Sequence, residues 1–142
     1  MIPTPKKGSS EVRVCVDLTQ LNKFVRRGAH PVVTPHEAVS SIKKGSRFHT
    51  TLDAKSGYWQ ILIAEEDQEL TCFITPWGRY KFLRAPMGLA ISGDEYNRRG
   101  DEALQTATNT VKVVDDILIS DCDYQQQLNN VWHVNVKNME SP

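Results

Sequence analysis

The sequence predicts an α+β fold in which an antiparallel sheet is backed by helices. Three observations predict this class. Apolar and polar residues alternate with period two over short stretches that favour strands. Two capping motifs, at Thr34 and Ser92, mark the starts of helices. Strands and helices follow one another without strict βαβ alternation, which favours α+β over α/β.

The composition is typical of one compact globular domain. The chain has 142 residues, of which 39% are hydrophobic and 24% are charged. Its 17 basic and 17 acidic residues give a net charge of zero. Since proteins that bind nucleic acid on their own usually carry a basic surface, this balance argues against autonomous nucleic-acid binding.

Targeting signals and cysteine usage predict the compartment. The N-terminus lacks the apolar core of a secretory signal, and no apolar run is long enough for a membrane helix. The three cysteines, Cys15, Cys72 and Cys122, are widely spaced and odd in number, which argues against a disulfide framework. We therefore expect an intracellular protein, cytoplasmic or nuclear, without a membrane partner.

The first third of the chain predicts a loop, a strand and a helix. Residues 3–10 are rich in Pro, Lys, Gly and Ser, which favours a loop. The alternation across residues 12–18 predicts a strand. Thr34 and Glu37 form a capping box with a proline at the first helical position, and Gly45 is expected to stop that helix.

The middle of the chain predicts a strand and a hairpin. Residues 48–52 form the strand, which ends at Asp53. The following apolar stretch, residues 58–63, is either helical or extended. Residues 72–83 predict a hairpin whose turn includes Gly78, a residue free to adopt a positive φ.

The last third predicts a helix, a second hairpin and a final helix. The capping motif that begins at Ser92 predicts a helix through about Thr106. Residues 111–119 predict a strand, a turn and a strand. From Asp123 onward, polar residues interrupted by Leu128, Val131 and Trp132 predict an amphipathic helix, which is expected to leave some apolar surface exposed.

Carboxylates stand at two positions where strands end. Asp115 and Asp116 lie between apolar runs, and a solvated hairpin turn is the ordinary explanation for such a pair. However, two-residue turns favour Asn-Gly or Asp-Gly, and adjacent like charges repel unless a cation offsets them. Asp53 follows an apolar strand, where its carboxylate would project into a cleft; alternatively, it caps a helix beginning at Ala54.

Five blocks together resemble the reverse transcriptases of gypsy-type LTR retrotransposons. The blocks are Arg13-Val14-Cys15-Val16-Asp17 with Leu21-Asn22-Lys23, Leu52-Asp53 with Ser56-Gly57-Tyr58-Trp59-Gln60-Ile61, Phe73-Ile74-Thr75-Pro76-Trp77-Gly78-Arg79-Tyr80, Arg84-Ala85-Pro86-Met87-Gly88-Leu89, and Val113-Val114-Asp115-Asp116. They occur in the order of that family and extend over about residues 3–133.

The resemblance implies a polymerase palm of the split βαβ type with partial fingers. The fingers would comprise about residues 1–26 and 61–91, and the palm about residues 27–60 and 92–142. It further implies a fragment that stops after motif C, without the thumb, primer grip and RNase H domain, so that the rest of a polyprotein is missing.

The resemblance implies an RNA-directed DNA polymerase that uses two Mg²⁺ ions, with Mn²⁺ as an alternative. Asp53, Asp115 and Asp116 would be the catalytic and metal-binding carboxylates, aided by the backbone of Ala54. Mg²⁺ prefers carboxylate oxygens and shares them with substrate phosphates. Paired ions stabilise both the attacking 3′-hydroxyl of a primer and the leaving pyrophosphate.

The resemblance also implies a set of dNTP contacts. Arg13 would contact the triphosphate, with Lys6 or Lys7 as a second phosphate contact, and Tyr58 would exclude a 2′-hydroxyl as a steric gate. For Arg13 and Tyr58 the ordinary alternatives are a solvated strand residue and a core tyrosine. The remaining predicted dNTP contacts are Met87, Gly88 and the backbone amides of Ala54, Lys55, Ser56 and Gly57.

Primer and template contacts are implied for Pro86, Val113 and Val114. Val113 stands where the family usually has an aromatic residue. Trp59 and Trp77 could stack on bases, although core packing is the preferred interpretation of both. Because the chain is neutral and a thumb is not expected, binding to an RNA or DNA template with its primer is predicted to be weak.

Two other functions remain open from the sequence alone. One is a catalytically inactive remnant of a retroelement that folds and binds metal or nucleotide without synthesis. The other is a different two-metal enzyme, such as a nuclease, built on the same carboxylates. The nuclease hypothesis leaves Arg13, Tyr58 and the block at residues 84–89 unexplained and is therefore the weakest of the three.

Overall fold

A computed structural model describes residues 2–5, 8, 10 and 12–140. Its strands pair in antiparallel fashion. They are β1 (Ile2–Pro5), β2 (Val12–Cys15), β3 (Phe48–Asp53), β4 (Phe73–Thr75), β5 (Gly78–Tyr80), β6 (Thr110–Val113) and β7 (Asp116–Asp121). The helices are α1 (Thr19–Asn22), α2 (Pro35–Ser40), α3 (Glu65–Gln68), α4 (Ala90–Leu104) and α5 (Tyr124–Glu140), with 3₁₀ turns at Gly57–Gln60 and Glu69–Thr71. The predicted α+β class is confirmed.

The chain divides into two compact units. Unit 1 comprises Met1–Gly28 and Tyr58–Asp94, and it holds the two-stranded sheets β1-β2 and β4-β5. Unit 2 comprises Ala29–Gly57 and Glu95–Pro142, and it holds the three-stranded sheet with the order β3-β7-β6. None of the described helices combines the length and the apolar character needed to cross a bilayer.

The predicted loop at residues 3–10 is wrong in its first half, because Ile2–Pro5 form strand β1. Pro5 pairs with Val12, and Ile2 pairs with Cys15, across an antiparallel ladder with β2. Prolines fit such a strand because both strands of a two-stranded sheet are edges, where a missing N–H need not disturb the ladder. Strand β2 ends at Cys15, earlier than predicted.

The capping box of helix α2 is confirmed in both halves. The Glu37 amide donates to the Thr34 hydroxyl oxygen at 3.3 Å, and the Thr34 amide donates to the Glu37 carboxylate at 2.8 Å. The helix ends at Ser40, well before the predicted stop at Gly45. The hydroxyls of Ser40 and Ser41 donate to helical carbonyls behind them, which satisfies acceptors at the helix end.

The predicted start of helix α4 at Ser92 is wrong, because the helix begins at Ala90. The Ala90 amide donates to the side-chain oxygen of Asn22 at 2.8 Å, so a residue distant in sequence supplies the cap. The Ser92 hydroxyl instead donates to the Pro86 carbonyl at 3.0 Å and is buried. A local capping pattern cannot reveal a cap that comes from another part of the chain.

The core of unit 2 lies between its sheet and helix α5. Ile117, Ile119 and Val134 are buried there. Leu52, Leu104, Ala107 and Val131 pack against them. Asp123 caps α5 by accepting a hydrogen bond from the Gln126 amide at 3.0 Å, as expected for a helix starting there.

The predicted apolar stripe of helix α5 lies mostly in solvent. Leu128 is 44% exposed and Trp132 is 72% exposed. The sheet is instead met by Val134 and by the buried Gln127, whose amide donates to the Thr50 hydroxyl and to the Ile119 carbonyl. The periodicity predicts the helix correctly but not the face that it buries. An apolar pattern does not reveal that a polar residue, Gln127, is buried with its side-chain amide hydrogen-bonded.

Candidate active site

The register of the unit 2 sheet brings two of the predicted carboxylates together. Asp53, the last residue of β3, is paired directly with Asp116, the first residue of β7. Directly opposed residues of antiparallel strands project from the same face, with Cβ atoms about 5 Å apart. The preceding pair, Leu52 and Ile117, belongs to the buried core. Asp53 and Asp116 therefore project from the opposite face, and both are exposed.

Asp115 lies in the two-residue turn between β6 and β7. Val113 pairs with Asp116, so the turn consists of Val114 and Asp115. The predicted turn of Asp115 and Asp116 is therefore wrong by one residue. Val114 has φ +53°, a left-handed conformation that β-branched residues rarely adopt. The Ala54 amide donates to the Asp115 carbonyl at 3.0 Å and joins this strained turn to the end of β3.

The Asp115 carboxylate is electrostatically unfavourable as it stands. Its Oδ1 atom is buried and has no hydrogen-bond partner among the residues that the structure describes. Burial raises the pKa of Asp115 above its ordinary value, and the nearby Asp53 and Asp116 raise it further, while Lys112 opposes the rise. A divalent cation at this face would offset the repulsion and satisfy the unpaired oxygen.

The carboxylates fit a metal site that is completed by a ligand. Within the described part of the chain, no three His, Cys, Asp or Glu side chains are grouped so as to hold a metal ion by themselves. Mg²⁺ is usually bound by one or two carboxylates together with substrate phosphates and waters. The orphaned oxygen of Asp115 and the opposed pair of Asp53 and Asp116 match that chemistry.

The segment after Asp53 differs from the sequence prediction in two respects. No helix begins at Ala54, so the alternative role of Asp53 as a helix cap is wrong. The Ala54 amide is already bonded to Asp115, so its predicted role as a phosphate donor is also wrong. Lys55 and Ser56 are exposed, and Ser56 has φ +57°.

In unit 1, the block at residues 84–89 contains two exposed predicted contacts, Met87 and Gly88, and one buried predicted contact, Pro86. Met87 is 44% exposed, and Gly88 has φ +95°, a conformation that favours glycine. The Gly88 carbonyl accepts a hydrogen bond from the Asn22 side chain at 2.8 Å. Pro86, by contrast, is fully buried, so its predicted contact with primer or template is wrong.

The remaining predicted contacts in unit 1 are described to different extents. Tyr58 is half-buried within the turn Gly57–Gln60. Arg13 lies in β2 opposite Thr4, but its side chain lies outside the described part of the structure, as does the whole of Lys6. Trp77 is 83% exposed, so its predicted core packing is wrong.

Sequence reasoning missed Lys112 and Tyr96, which lie close to the predicted site residues in unit 2. The side chain of Lys112 is only 6% exposed, and Tyr96 is buried. A signal was present, because a lysine at an inward position of an apolar strand is unusual. For Tyr96 the sequence offers no comparable signal, because aromatic residues in helices are commonly core residues.

Comparisons with known proteins identify similar sequences and similar folds. The sequence profile described as "Reverse transcriptase (RNA-dependent DNA polymerase)" matches residues 4–140. The Pol polyprotein of transposon gypsy from Drosophila melanogaster is 33% identical over 114 residues, which are 79% of this chain and 11% of that protein. The enzymatic polyprotein of cauliflower mosaic virus, strain Strasbourg, is 31% identical over 115 residues, which are 80% of this chain and 17% of that protein.

The fold is similar to that of solved foamy viral proteins. The protease-reverse transcriptase described as a complex with double-stranded DNA matches with a TM-score of 0.84 and 22% identity, over 98% of this chain and 24% of that chain. The likeness confirms the predicted palm-type architecture. This chain therefore spans only a small part of the length of the proteins it matches.

Proposed function

Because the chain belongs to the reverse transcriptase family, we propose that it carries the metal-binding and nucleotide-binding part of an RNA-directed DNA polymerase. In this proposal, unit 1 corresponds to the fingers and unit 2 to the palm. The reaction is the transfer of a nucleotide from a dNTP to the 3′-hydroxyl of a primer. The observation that carries the proposal is the exposed pair of Asp53 and Asp116 beside the orphaned carboxylate oxygen of Asp115.

Asp53 and Asp115, with the backbone carbonyl of Ala54, would hold two Mg²⁺ ions, and Asp116 would lie beside them. Bound ions would stabilise negative charge on the attacking and leaving oxygens. The chain's own contribution is preorganisation. The Ala54–Asp115 hydrogen bond fixes the end of β3 against the turn, so two carboxylates distant in sequence are held together before any ligand binds.

The triphosphate would be held by Arg13 and Lys6 and by the segment of Lys55, Ser56 and Gly57, in which Lys55 and Ser56 are exposed and Gly57 is buried. A guanidinium fork and backbone amides are both suited to phosphate oxygens. The proposal for this segment is supported by the exposure of Lys55 and Ser56 directly after Asp53.

The sugar and base of the dNTP would meet Tyr58, Met87 and Gly88. Tyr58 would exclude a 2′-hydroxyl, the group that distinguishes RNA precursors from DNA precursors. Gly88 supports a role near the ligand because its backbone has a positive φ and no Cβ. Met87 offers an exposed apolar side chain beside it.

The nucleic-acid partner would be an RNA or DNA template with its primer. Val113 lies on the same face of the sheet as Asp116, and Val114 lies in the turn, so both are suited to contact the primer end. The net charge of zero predicts weak binding by this chain, since phosphate contacts supply most of the affinity for nucleic acid.

The proposal is tested by Mn²⁺ binding, because Mn²⁺ substitutes for Mg²⁺ and is detected by electron paramagnetic resonance. Binding is titrated with and without dTTP in the wild-type chain, in Asp115→Asn and in Asp53→Asn. We expect dTTP to strengthen Mn²⁺ binding and each variant to weaken it at least about tenfold, as loss of a charged metal ligand does. Glu66→Gln, which removes an exposed carboxylate on α3, is the matched control.

Two outcomes would change the assignment. Equal Mn²⁺ binding by the wild type and both site variants would contradict the metal site. Metal and dTTP binding without any extension of a labelled primer would favour an inactive remnant over a polymerase.

A further inference from the structure

A lysine is buried between strand β6 and helix α4, and the proposed reaction does not use it. Only 6% of the Lys112 side chain is exposed. Burying an ammonium group is costly unless hydrogen bonds and opposite charge compensate it. Lys112 pairs with Ile117 in the sheet, so it projects from the core face rather than from the carboxylate face.

Polar groups of helix α4 hold the ammonium group in one position. It donates to the Asn97 side-chain oxygen at 2.6 Å and lies 3.5 Å from a carboxylate oxygen of Asp101. The second oxygen of Asp101 lies 2.6 Å from the His30 ring. Asn97 is buried and Asp101 is about half exposed, so a buried amide and a partly solvated carboxylate compensate the charge.

Helix α4 also leaves space for the lysine chain. A Cβ atom at Gly100 would lie 2.7 Å from Cε of Lys112 and 3.0 Å from its Cδ. Glycine within a helix is unfavourable relative to alanine. Gly100 therefore lowers the stability of helix α4 relative to alanine, at the position where the Lys112 side chain packs against the helix.

The ammonium group faces an aromatic ring that touches the proposed nucleotide-binding segment. Nζ of Lys112 lies 5.6 Å from the centre of the Tyr96 ring, within the range of a cation–π interaction. A Cβ atom at Gly57 would lie 2.5 Å from two carbons of the same ring, so the ring packs directly on the Gly57 backbone. Gly57 ends the segment that follows Asp53.

We infer that Lys112 is a positioning residue that acts through Tyr96 to hold the backbone of residues 54–57 in the form that the nucleotide requires. This inference rests on the proposed function, because it assigns a purpose to the geometry of that segment. Lys112 projects from the core face of the sheet, so in this proposal it acts on the site without contacting nucleotide or metal. It keeps the Tyr96 ring against Gly57, and the Ala54–Asp115 hydrogen bond carries the same restraint to the metal-binding turn.

The test compares local and global opening of the full chain by amide hydrogen exchange. Lys112→Met keeps most of the side-chain volume and removes the charge. Gly100→Ala keeps the lysine but displaces its ammonium group, while favouring the helix. In both variants we expect the amides of residues 54–57 to exchange about tenfold faster, with the core strand amides of Ile117 and Ile119 unchanged.

Matched variants separate positioning from general packing. Lys44→Met, which neutralises an exposed lysine of unit 2, should leave all of these amides unchanged. Tyr96→Phe should behave like the wild type because it keeps the ring, whereas Tyr96→Leu should reproduce Lys112→Met. A rise in exchange that spreads equally over Ile117 and Ile119, or no rise at residues 54–57 in Gly100→Ala, would overturn the inference.

Mn²⁺ binding measured on the same variants connects positioning to the site. Removing a nearby positive charge should by itself strengthen cation binding, so a loss of affinity in Lys112→Met reports lost positioning. We expect about a fivefold loss in the presence of dTTP. If the wild type binds no Mn²⁺, the proposed function fails, while hydrogen exchange still decides whether Lys112 restrains residues 54–57.

Discussion

Asp53 and Asp116 are directly opposed in adjacent antiparallel strands, so two carboxylates share one face of the sheet. Like charges in this arrangement destabilise a sheet. The Asp115 carboxylate beside them adds a buried oxygen without a hydrogen-bond partner among the described residues. The fold thus carries a local cost where the sequence predicted chemistry, as functional sites often do.

Asp115→Asn is expected to stabilise the metal-free protein at pH 7 by about 1 kcal/mol, since it removes a partly buried charge whose Oδ1 atom lacks a hydrogen-bond partner among the described residues. The pKa of Asp115 is raised in the folded state. Its contribution to stability is therefore present below the ordinary aspartate pKa and is lost as pH rises through the raised pKa. The advantage of Asn should accordingly be small at pH 3 and full at pH 7.

Urea unfolding of the wild type and Asp115→Asn at both pH values measures this difference. Asp116→Asn provides the comparison, because Asp116 is exposed and should show a smaller gain. A variant less stable than the wild type at pH 7 would show that Asp115 has a stabilising partner.

Val114→Asn is expected to raise the free energy of unfolding by about 1 kcal/mol, because Asn tolerates the left-handed conformation that strains Val114. The residue has φ +53° in the two-residue turn. Val113→Asn is the control. Val113 lies in strand β6, where Asn is unfavourable, and this change should lower stability. Equal effects of the two substitutions on the urea midpoint would argue against strain at Val114.

Short-range patterns predicted the parts of this fold that depend on neighbouring residues. The capping box of Thr34 and Glu37, the strand that ends at Asp53 and the positive φ of Gly78 are all confirmed. The motif order predicted the family, and the match to the gypsy polyprotein confirms the resemblance. Each of these signals is local or is carried by a block of contiguous residues.

Long-range partners explain what the sequence could not predict. The cap of α4 comes from Asn22, and β1 forms only because β2 pairs with it. At the candidate site, the pairing of Asp53 with Asp116 and the burial of Lys112 depend on sheet register and on helix packing. The candidate site residues could therefore be predicted from residue type and motif. The sheet register and the helix packing that hold them in place could not.

Trp77→Ala is expected to leave the free energy of unfolding within about 0.5 kcal/mol of the wild type, because little of the side-chain surface is buried. Trp77 is 83% exposed in the two-residue turn of the β4-β5 hairpin. Trp59→Ala is the matched comparison. Trp59 is 41% exposed and its ring lies 6.0 Å from that of Phe82, so we expect a loss of about 2 kcal/mol. Thermal unfolding measures both, and a large loss in Trp77→Ala would show that Trp77 is buried in solution.

Glu95 links two arginines on helix α4. Because its carboxylate is stabilising only when ionised, we expect the protein to lose stability in acid. Arg98 donates two hydrogen bonds of 2.8 Å to its carboxylate, and Arg99 donates one of 2.7 Å. The hydrogen bonds from Arg98 are the main cause that lowers the pKa of Glu95 to about 2. Because the folded pKa is depressed, this contribution to stability is present above the ordinary glutamate pKa and is lost as pH falls toward 2.

Glu95→Gln is therefore expected to cost about 1 kcal/mol at pH 7 and almost nothing near pH 2, where the wild-type carboxylate is itself becoming protonated. Urea unfolding across this range measures the difference, with Glu66→Gln as a control whose effect should not vary in the same way. Added salt should reduce the cost at pH 7, since the three side chains are partly exposed and their attraction is screened. A cost that is the same at both pH values would mean that Glu95 stabilises the helix through packing rather than through its charge.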